Sequence, residues 1–352
     1  MIRLILLMAA LALIAMALAV LVLRSRNMHL WLWSYIRQWP RRRRAARHDQ
    51  VVDVYFAFCD HFEPYWRRPD DETALRRVQR WTQTYPVIAG RHHDSLGRPP
   101  KHTFFYPEEE YRPRILDDLA ALCRQGFGDV EVHLHHDDDC AENLALTLSR
   151  YTAMLHERHG LLRRDPTTGK ILYAFIHGNW ALDNSRPDGR WCGVDNELSV
   201  LVGTGCKVDM TMPSAPSDTQ TRKINSIYFA RGAPGARKAH DVGRDAAVGT
   251  WGSDDELLLV QGPLALNWHS RKAFVIPRIE AAEISADCLP TAHRIALWER
   301  AGIRIAGAED SLFIKVHTHG AEERTSDALL GGQLEVMWTE LERRFRDRPG
   351  YR

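Results

Sequence analysis

Histidines and carboxylates of this chain recur at the points where short apolar runs end. They form four groups: Asp60, His61 and Glu63; His133, His135, His136 and Asp139; His177 and Asn179; and His317 and His319. Imidazoles and carboxylates bind divalent ions such as Zn²⁺, and a site that keeps one position open for water can activate that water for hydrolysis. These residue types predict a metal centre with acid–base chemistry, provided that the fold brings the four groups together.

The spacing of apolar residues predicts an α/β fold that would do so. Short apolar runs alternate with longer amphipathic ones from residue 51 onward, which is typical of strands followed by helices. The predicted strands are 51–58, 102–106, 130–135, 171–176, 207–212, one or two within 257–268, and 313–316; the predicted helices are 72–85, 114–124, 141–159, 196–202, 292–301 and 329–346. Because the carboxyl ends of parallel strands lie on one face of a sheet or barrel, we expect the four groups to converge there.

The predicted third strand makes this expectation more specific. Side chains alternate between the two faces of a strand, so Glu131, His133 and His135 share one face. A solvated histidine pair and an aspartate triplet that caps a helix would show the same local sequence. The metal prediction therefore depends on the convergence of these residues with Asp60 and His317 from other strands.

The amino-terminal run from Leu4 to Leu23 carries no charge. At a rise of about 1.5 Å per residue, it is long enough to cross the roughly 30 Å hydrocarbon core of a bilayer. We interpret residues 1–24 as a transmembrane anchor. The alternative is a cleavable signal peptide, because Ala17-Leu18-Ala19 has the small-x-small form of a cleavage site.

Residues 25–50 follow as a basic and aromatic juxtamembrane segment. Its aromatic residues are Trp31, Trp33, Tyr35 and Trp39, and we expect this segment to lie on anionic headgroups. Eight arginines follow the apolar run and only Arg3 precedes it. The positive-inside rule therefore predicts a single-pass membrane protein with a cytoplasmic body, and a periplasmic body is the alternative.

Charge and motifs exclude several classes of function. Residues 1–50 hold nine Arg and one Asp, which leaves 38 basic and 44 acidic residues in the body. An acidic body lacks the basic face of a nucleic-acid-binding protein, so we expect no nucleic-acid partner. The chain has no P-loop, dinucleotide-binding or GxSxG motif. Its six cysteines show no CxxC spacing, so we expect buried thiols.

With these residues in place, residues 51–325 resemble the polysaccharide deacetylase-like (NodB-homology) family of carbohydrate esterases. The matching stretches are, in chain order, Phe56 to His61, His102 to Tyr106, Glu131 to Asp139, Gly205 to Thr211 and Val316 to His319. The first resembles an apolar strand that ends in paired acids, and the third lies at the place of a His-x-x-x-His motif. The last resembles the family's final strand with its catalytic histidine. The resemblance implies a distorted (β/α) barrel over residues 51–352, and we interpret 213–251, rich in Gly, Pro, Ser and Asp, as an inserted loop region.

The resemblance also implies roles for the first motif and the last strand. Asp60 would be the general base or a metal ligand, and the second acid of the pair is replaced by His61 or supplied by Glu63. His317 or His319 would protonate the leaving group.

For the metal, the His-x-x-x-His spacing counted from His135 ends on Asp139, with His133 and His136 as alternative ligands. The family's Arg-x-Pro-Tyr motif has no clear counterpart, and His177-Gly-Asn179-Trp180 lies near its place.

The implied function is metal-assisted removal of an acyl group from a saccharide substrate. Trp180 would stack on a sugar ring, and Asp218 and Arg222 in the inserted loop could hydrogen-bond sugar hydroxyls. Glu63, His177 and Asn179 are further candidates for contact with the substrate. A cytoplasmic body would favour a lipid-linked or nucleotide-linked saccharide. Two alternatives are a metal hydrolase resembling the PHP or amidohydrolase families, and a non-catalytic saccharide-binding or assembly protein on the same fold.

Overall fold

The computed structural model describes residues 2–40, 51–233 and 235–352 as a mixed α/β structure with a mostly parallel central sheet. The strands are β1 Asp53–His61, β2 His102–Pro107, β3 Gly128–Leu134, β4 Arg163–Arg164, β5 Ile171–His177, β6 Cys206–Asp209, β7 Ile227–Arg231, β8 Arg244–Asp245, β9 Glu256–Val260, β10 Ala265–Lys272, β11 Ile276–Glu280, β12 Glu283–Ile284, β13 Ile303–Ile305 and β14 Ala308–Thr318. The α-helices are α1 Ile2–Ser25, α2 Leu32–Arg37, α3 Asp71–Ala89, α4 Pro113–Arg124, α5 Ala141–His159, α6 Glu197–Thr204, α7 Ala292–Ala301, α8 Glu323–Ala328 and α9 Leu334–Leu341.

The central sheet has the strand order β12-β14-β1-β2-β3-β5-β6-β9-β7-β8. Neighbouring strands from β12 to β9 are parallel, and β7 and β8 extend the sheet in antiparallel pairing. The carboxyl ends of β14, β1, β2, β3 and β5 therefore lie side by side along one edge. This order places the polar groups that follow these strands next to one another.

The sheet is strongly curved. The Lys315 ammonium on β14 donates to the carbonyl oxygens of Met210 and Met212, which follow β6, although four strands separate β14 from β6 in the sheet. Across the two edges of the sheet, Ala247 and Ala306 form an isolated bridge. The predicted α/β class with a parallel sheet is confirmed, whereas the described residues do not show a closed barrel.

Most predicted elements form close to the expected residues. The helices predicted at 141–159 and 292–301 are present with those bounds, and each is followed by a glycine in the left-handed conformation, Gly160 and Gly302. Glycine adopts this conformation without strain, which ends a helix at a defined residue. The helix predicted at 329–346 is instead broken into α-helical and π-helical turns.

The stretch 213–251 is more structured than an inserted loop. It contains β7 and β8, and β7 pairs with β9 over five residues. Ile227 and Phe229 on β7 are buried in an apolar cluster with Ala246 and Ile303. This segment therefore extends the sheet in addition to covering one end of it.

The amino-terminal helix α1 is apolar and long enough to span a membrane, a property that a signal sequence shares. The residues that follow it pack against the body, because Trp31 is fully buried in an apolar cluster with Met28, Ala215, Ile224 and Leu264. Trp31 is thus withdrawn from a membrane surface, while Trp33 and Trp39 are exposed. Five of the eight arginines behind the positive-inside prediction, Arg41 to Arg44 and Arg47, lie outside the described residues.

Candidate metal centre

Three strand ends bring five side chains together, which we call the Glu63 cluster. It consists of His61 at the end of β1 and Glu63 just after it, His133 near the end of β3 and His135 just after it, and His319 after β14. The ligand atoms fall into two triads that share Glu63: those of His61, Glu63 and His319 lie within 4.8 Å of one another, and so do those of Glu63, His133 and His135. The predicted convergence of the first, third and last strand ends is therefore present.

His133 has a defined tautomer. Its Nδ1 lies 2.7 Å from the carbonyl oxygen of Ile176 on the neighbouring strand β5. A carbonyl only accepts, so Nδ1 carries the proton and Nε2 presents a lone pair. That Nε2 lies 3.4 Å from Oε1 of Glu63. A histidine whose Nδ1–H is held by a backbone carbonyl is the usual arrangement of a metal ligand.

His135 is held from the opposite side by Glu109, in the short 3₁₀ turn after β2. Its Nδ1 lies 2.5 Å from a Glu109 carboxylate oxygen, and its Nε2 lies 3.7 Å from Oε1 of Glu63. The rings of His133 and His135 are 4.6 Å apart, so both point to the same face of β3 as predicted. Although burial would lower it, the carboxylates of Glu109 and Glu63 raise the pKa of His135.

His61 is surrounded by three other histidines and a tryptophan. Its ring centroid lies 4.8 Å from that of His319, 5.0 Å from His133, 5.7 Å from Trp180 and 6.0 Å from His317. Burial, together with the neighbouring histidines, lowers the pKa of His61 well below its usual value. It is therefore a neutral imidazole at pH 7, the form that binds metal ions.

The spacing of the donor atoms fits an ion. The Glu63 contacts of 3.4 and 3.7 Å are longer than ordinary hydrogen bonds of ~2.7–3.2 Å. They are close to the ~3.3 Å that separates two ligands held ~2.05 Å from a tetrahedral ion. Burial opposes ionisation of Glu63, but the adjacent histidines hold its pKa below its usual value, so it is a carboxylate. Imidazoles around a carboxylate suit a divalent metal such as Zn²⁺.

A second group lies beside the first, which we call the Glu197 cluster: His136, His177, Cys192 and Glu197, whose ligand atoms all lie within 4.8 Å of one another. Nε2 of His136 is 2.9 Å from Nε2 of His177, and these atoms lie 3.3 and 3.4 Å from Oε1 of Glu197. The Sγ of Cys192 lies 3.5 Å from Oε2 of the same carboxylate.

The electrostatics of the Glu197 cluster reflect its burial. Burial lowers the pKa of His177 to about 4, whereas the adjacent imidazoles of His177 and His136 and the Asp183 backbone N–H outweigh burial and hold the pKa of Glu197 at about 2. The pKa of His136 is raised despite burial, because Glu197 and Asp139 face it. Burial and the nearby Glu197 raise the pKa of the Cys192 thiol.

Asp60 does not join either cluster. Both of its carboxylate oxygens are engaged, Oδ2 with Nε2 of His102 at 2.7 Å and Oδ1 with the backbone N–H of Gly320 at 2.6 Å. Because side chains alternate along β1, Asp60 lies on the face opposite His61. This geometry favours a structural role, in which Asp60 ties the turn after β14 to β1 and β2.

Among the predicted metal ligands, His136 and Asp139 are displaced from the Glu63 cluster. His136 belongs to the Glu197 cluster, and Asp139 Oδ2 lies 3.0 Å from its Nδ1. Asp139 therefore contacts the His136 ring at Nδ1, whereas Nε2 of the same ring faces Glu197. Although His135 and His136 are neighbours in sequence, their rings point into different clusters.

An open cleft of about 430 Å³ adjoins the Glu63 cluster. Its lining is Asn179, Trp180, Arg186, Trp191, Pro213, Ser214, Ala215, Pro216, Ser217, Ala281, Glu283 and His317. Of the residues predicted to contact substrate, Asn179 and Trp180 line this cleft, whereas Glu63 and His177 belong to the two clusters. Asp218 lies behind the cleft, 3.6 Å from Arg186, and Arg222 is exposed and paired with Asp241.

Three polar residues of the site were absent from the predicted set. Glu109 was detectable, because the triplet Glu108 to Glu110 directly follows a predicted strand. Glu197 opens α6, where an acidic residue is ordinary. Cys192 lies in an irregular segment with no motif around it, so only the tertiary structure brings it to Glu197.

Comparison with known proteins adds no assignment. No protein-family model matches the chain, and no curated protein matches it. The function of the chain is therefore inferred from the geometry of the two clusters and the cleft.

Proposed function

We propose that this chain is a membrane-anchored, metal-dependent hydrolase that removes an acyl group, such as acetyl, from a saccharide. The observation that carries the proposal is the Glu63 cluster itself: four imidazoles surround one buried carboxylate at the carboxyl ends of parallel strands. The cluster is open on the side of His135 and His319, which are half-buried. A ligand set with an open side is typical of catalytic metal centres.

His133, His135 and Glu63 are the side chains best placed to hold the ion, with His61 and His319 on the other side of Glu63. When bound there, a divalent ion would supply electrophilic assistance to an acyl carbonyl and make water more acidic. The same ends of parallel strands carry the active sites of (β/α) barrels, and the curved sheet is compatible with the distorted barrel that the resemblance implies.

Residues beside the metal ligands are placed to orient water and to transfer a proton. His317 lines the cleft, and burial and the positive charge of Lys315 lower its pKa well below its usual value, so its ring is neutral and can accept a hydrogen bond that orients a water molecule. His319 is half-buried and lies 5.9 Å from Trp180 between ring centroids, so it is placed to protonate the leaving amine or alkoxide. With Asp60 engaged elsewhere, Glu63 is the acid of the first motif that remains in the site.

The cleft supports a saccharide as the substrate. It combines the aromatic side chains of Trp180 and Trp191 with the hydroxyls of Ser214 and Ser217. Aromatic faces beside short hydrogen-bonding groups suit sugar rings, whose faces are apolar and whose edges carry hydroxyls. The guanidinium of Arg186 also lines the cleft, where Asp188 and Asp218 offset its positive charge.

The position of the cleft supports a lipid-linked substrate. Ala215 and Ala281, which line the cleft, pack in the same apolar cluster as Trp31 and Leu23, and Leu23 lies in the last turns of α1. Asn27 donates a hydrogen bond to the carbonyl of Pro216 in the cleft wall. A substrate held in the membrane by a lipid would thus have its head group close to the cleft.

The test uses the full chain in detergent, because the juxtamembrane segment packs on the body. Metal content by elemental analysis and acetate release from N-acetylglucosamine oligomers and from an acetylated sugar ester are measured for wild type, Glu63→Ala and His133→Ala. The exposed His93→Ala is the control. We expect wild type and the control to bind metal and release acetate, and both cluster variants to lose acetate release.

Two outcomes would overturn the proposal. A wild-type protein whose Glu63 cluster binds metal and binds oligosaccharide without releasing acetate would support the non-catalytic saccharide-binding alternative. A wild-type protein that releases acetate equally well after Glu63→Ala would move the chemistry elsewhere. The proposed cytoplasmic side of the body has its own test, a topology reporter fused to the carboxyl terminus, and a periplasmic signal would reject it.

A further inference from the structure

We propose that His136, His177, Cys192 and Glu197 form a second metal site, closed and structural, that binds Zn²⁺ and fixes the wall of the cleft. This site is separate from the Glu63 cluster and has a different ligand chemistry, because it contains a thiol. The proposal does not depend on which reaction the Glu63 cluster performs.

The proton positions in the cluster call for a cation. Nδ1 of His136 faces the Asp139 carboxylate at 3.0 Å, and Nδ1 of His177 donates to the carbonyl oxygen of Gly178. Both partners are acceptors, so each ring carries a proton on Nδ1, and in its neutral form presents a lone pair at Nε2. These two lone pairs face each other at 2.9 Å.

The Glu197 carboxylate is a third acceptor close to these two nitrogen atoms. Oε1 of Glu197 lies 3.3 Å from Nε2 of His136 and 3.4 Å from Nε2 of His177. Three acceptors that converge in a buried place repel one another unless a positive charge lies between them. An additional proton on His136 would satisfy one contact, whereas a metal ion satisfies all three at once.

Cys192 completes a set of four ligands. Its Sγ lies 3.5 Å from Glu197, and the backbone N–H groups of Asn184 and Val194 point at the sulfur at 3.3 and 3.5 Å. These two N–H donors favour the anionic form of the sulfur against burial and the nearby Glu197, and a bound cation would favour the thiolate further. Two imidazoles, one thiolate and one carboxylate are ligands that Zn²⁺ accepts in tetrahedral sites.

The site is closed to solvent. His177, Cys192 and Glu197 have side chains that are essentially inaccessible, and the His136 side chain is 7% exposed. The protein supplies four ligands, which leaves no open position for water or substrate. Closed four-coordinate sites are structural, whereas catalytic zinc keeps one position free.

The segment between these ligands forms part of the cleft wall and holds an unusual backbone. Asn179, Trp180, Asp183 and Asn184 all have positive φ angles between 50° and 55°. Each such non-glycine residue costs about 1 kcal/mol, so the surrounding structure must hold the segment in place. The cluster does so directly, because Oε2 of Glu197 accepts the backbone N–H of Asp183 at 2.5 Å.

Backbone packing joins the two halves of the cluster. The N–H of Asp139 donates to the carbonyl of Cys192 at 3.1 Å, and a Cβ on Gly193 would come within 2.6 Å of the Asp139 nitrogen. The segment from Gly178 to Cys192 therefore closes back onto the turn that carries His136. Loss of the ion would loosen Trp180 and Trp191, which line the cleft.

The test relies on Cys192, which supplies the one sulfur ligand of the Glu197 cluster. Co²⁺ is exchanged into the full chain in detergent, and thiolate-to-cobalt charge transfer is recorded in the near ultraviolet. The Glu63 cluster contains no cysteine, so this band reports the Glu197 cluster alone. We expect the band in wild type, in His133→Ala and in the control Cys123→Ser, and its loss in Cys192→Ser together with one equivalent of bound metal.

A second measurement needs no variant, in case Cys192→Ser fails to fold. Cysteine alkylation in mild denaturant, which transiently exposes buried thiols, followed by mass spectrometry compares zinc-loaded and chelator-treated wild type, and we expect zinc to slow the alkylation of Cys192. Bound cobalt without a thiolate band, or alkylation of Cys192 that zinc leaves unchanged, would overturn the proposal in favour of a protonated His136. Because His133→Ala removes only the Glu63 cluster, failure of this proposal and failure of the hydrolase proposal are distinguishable.

Discussion

The Oδ1 atom of Asp60 accepts a hydrogen bond of 2.6 Å from the backbone N–H of Gly320, which ties the end of β1 to the turn after β14. The other oxygen of Asp60 lies 2.7 Å from Nε2 of His102, and all three groups are buried. The same turn carries His319 toward the Glu63 cluster. Asp60 thus positions the cluster from behind the sheet.

Replacing Asp60 tests this role. Asp60→Ala leaves the Gly320 N–H and the His102 ring without a partner in a buried place, so we expect it to destabilise the fold by about 3 kcal/mol. Asp60→Asn retains one acceptor and should cost less. Thermal unfolding and metal content are measured together. A variant with unchanged stability that has lost acetate release would instead support Asp60 as the general base.

The Gly320 turn itself makes a steric prediction. A Cβ at Gly320 would lie 2.2 Å from Oδ2 of Asp60 and 2.7 Å from the Trp81 ring, so Gly320→Ala should lower the melting temperature by several degrees. Gly331→Ala is the matched control, because a Cβ there meets nothing within 4 Å. Equal melting temperatures for the two variants would contradict the packing described here.

Glu109 is predicted to tune metal affinity without binding the ion. Its carboxylate holds Nδ1 of His135, and the loss of such a partner typically weakens metal binding ~10–100-fold. We expect Glu109→Gln to show this loss in a chelator competition assay. Glu108→Gln, in the same turn, should leave the affinity unchanged, and an equal effect of both substitutions would argue against a specific role for Glu109.

Asp209 should make stability depend on pH. Burial raises the pKa of Asp209 to about 7, well above the ~3.9 of an unfolded aspartate. Between pH ~4 and about 7, Asp209 therefore holds a proton in the folded protein that it releases in the unfolded chain. The stabilisation that comes from this bound proton is complete below pH ~4. As the pH rises to about 7, the free energy of unfolding falls by up to roughly 1 kcal/mol per pH unit.

Asp209→Asn should remove that dependence. The amide keeps an acceptor for the backbone N–H of Thr211 and does not ionise. Melting temperatures of wild type and variant are compared between pH 4.5 and 7.5. We expect the wild type to lose ~2 °C per pH unit relative to the variant, and parallel curves would show that Asp209 does not titrate in this range.

Two tryptophans of the juxtamembrane segment form a matched pair. Trp31 is fully buried against the body, whereas Trp33 is 67% exposed. We expect Trp31→Ala to cost ~3–5 kcal/mol of stability and Trp33→Ala less than about 0.5 kcal/mol in detergent. Similar small losses for both variants would mean that the segment does not dock on the body in solution.

Secondary structure was largely predictable because it depends on local periodicity. The helix at 141–159 and the strand that carries His133 and His135 follow from spacing alone, and so does the common face of those two imidazoles. The stretch 213–251 was not predictable in this way. Its strand β7 is short and lies among glycines and prolines, and it becomes a strand because β9 offers an unpaired edge.

The sequence by itself determined the α/β alternation, the apolar amino-terminal helix and the recurrence of ligand residues at strand ends, because each depends on neighbours within a few positions. Only the tertiary structure decided how those ligands divide. The order of strands placed Glu63 between imidazoles from β1, β3 and the turn after β14. The path of the segment after β5 separated His136 from His135 and brought Cys192 and Glu197 to it. Such groupings depend on contacts between residues distant in sequence, which local periodicity does not encode.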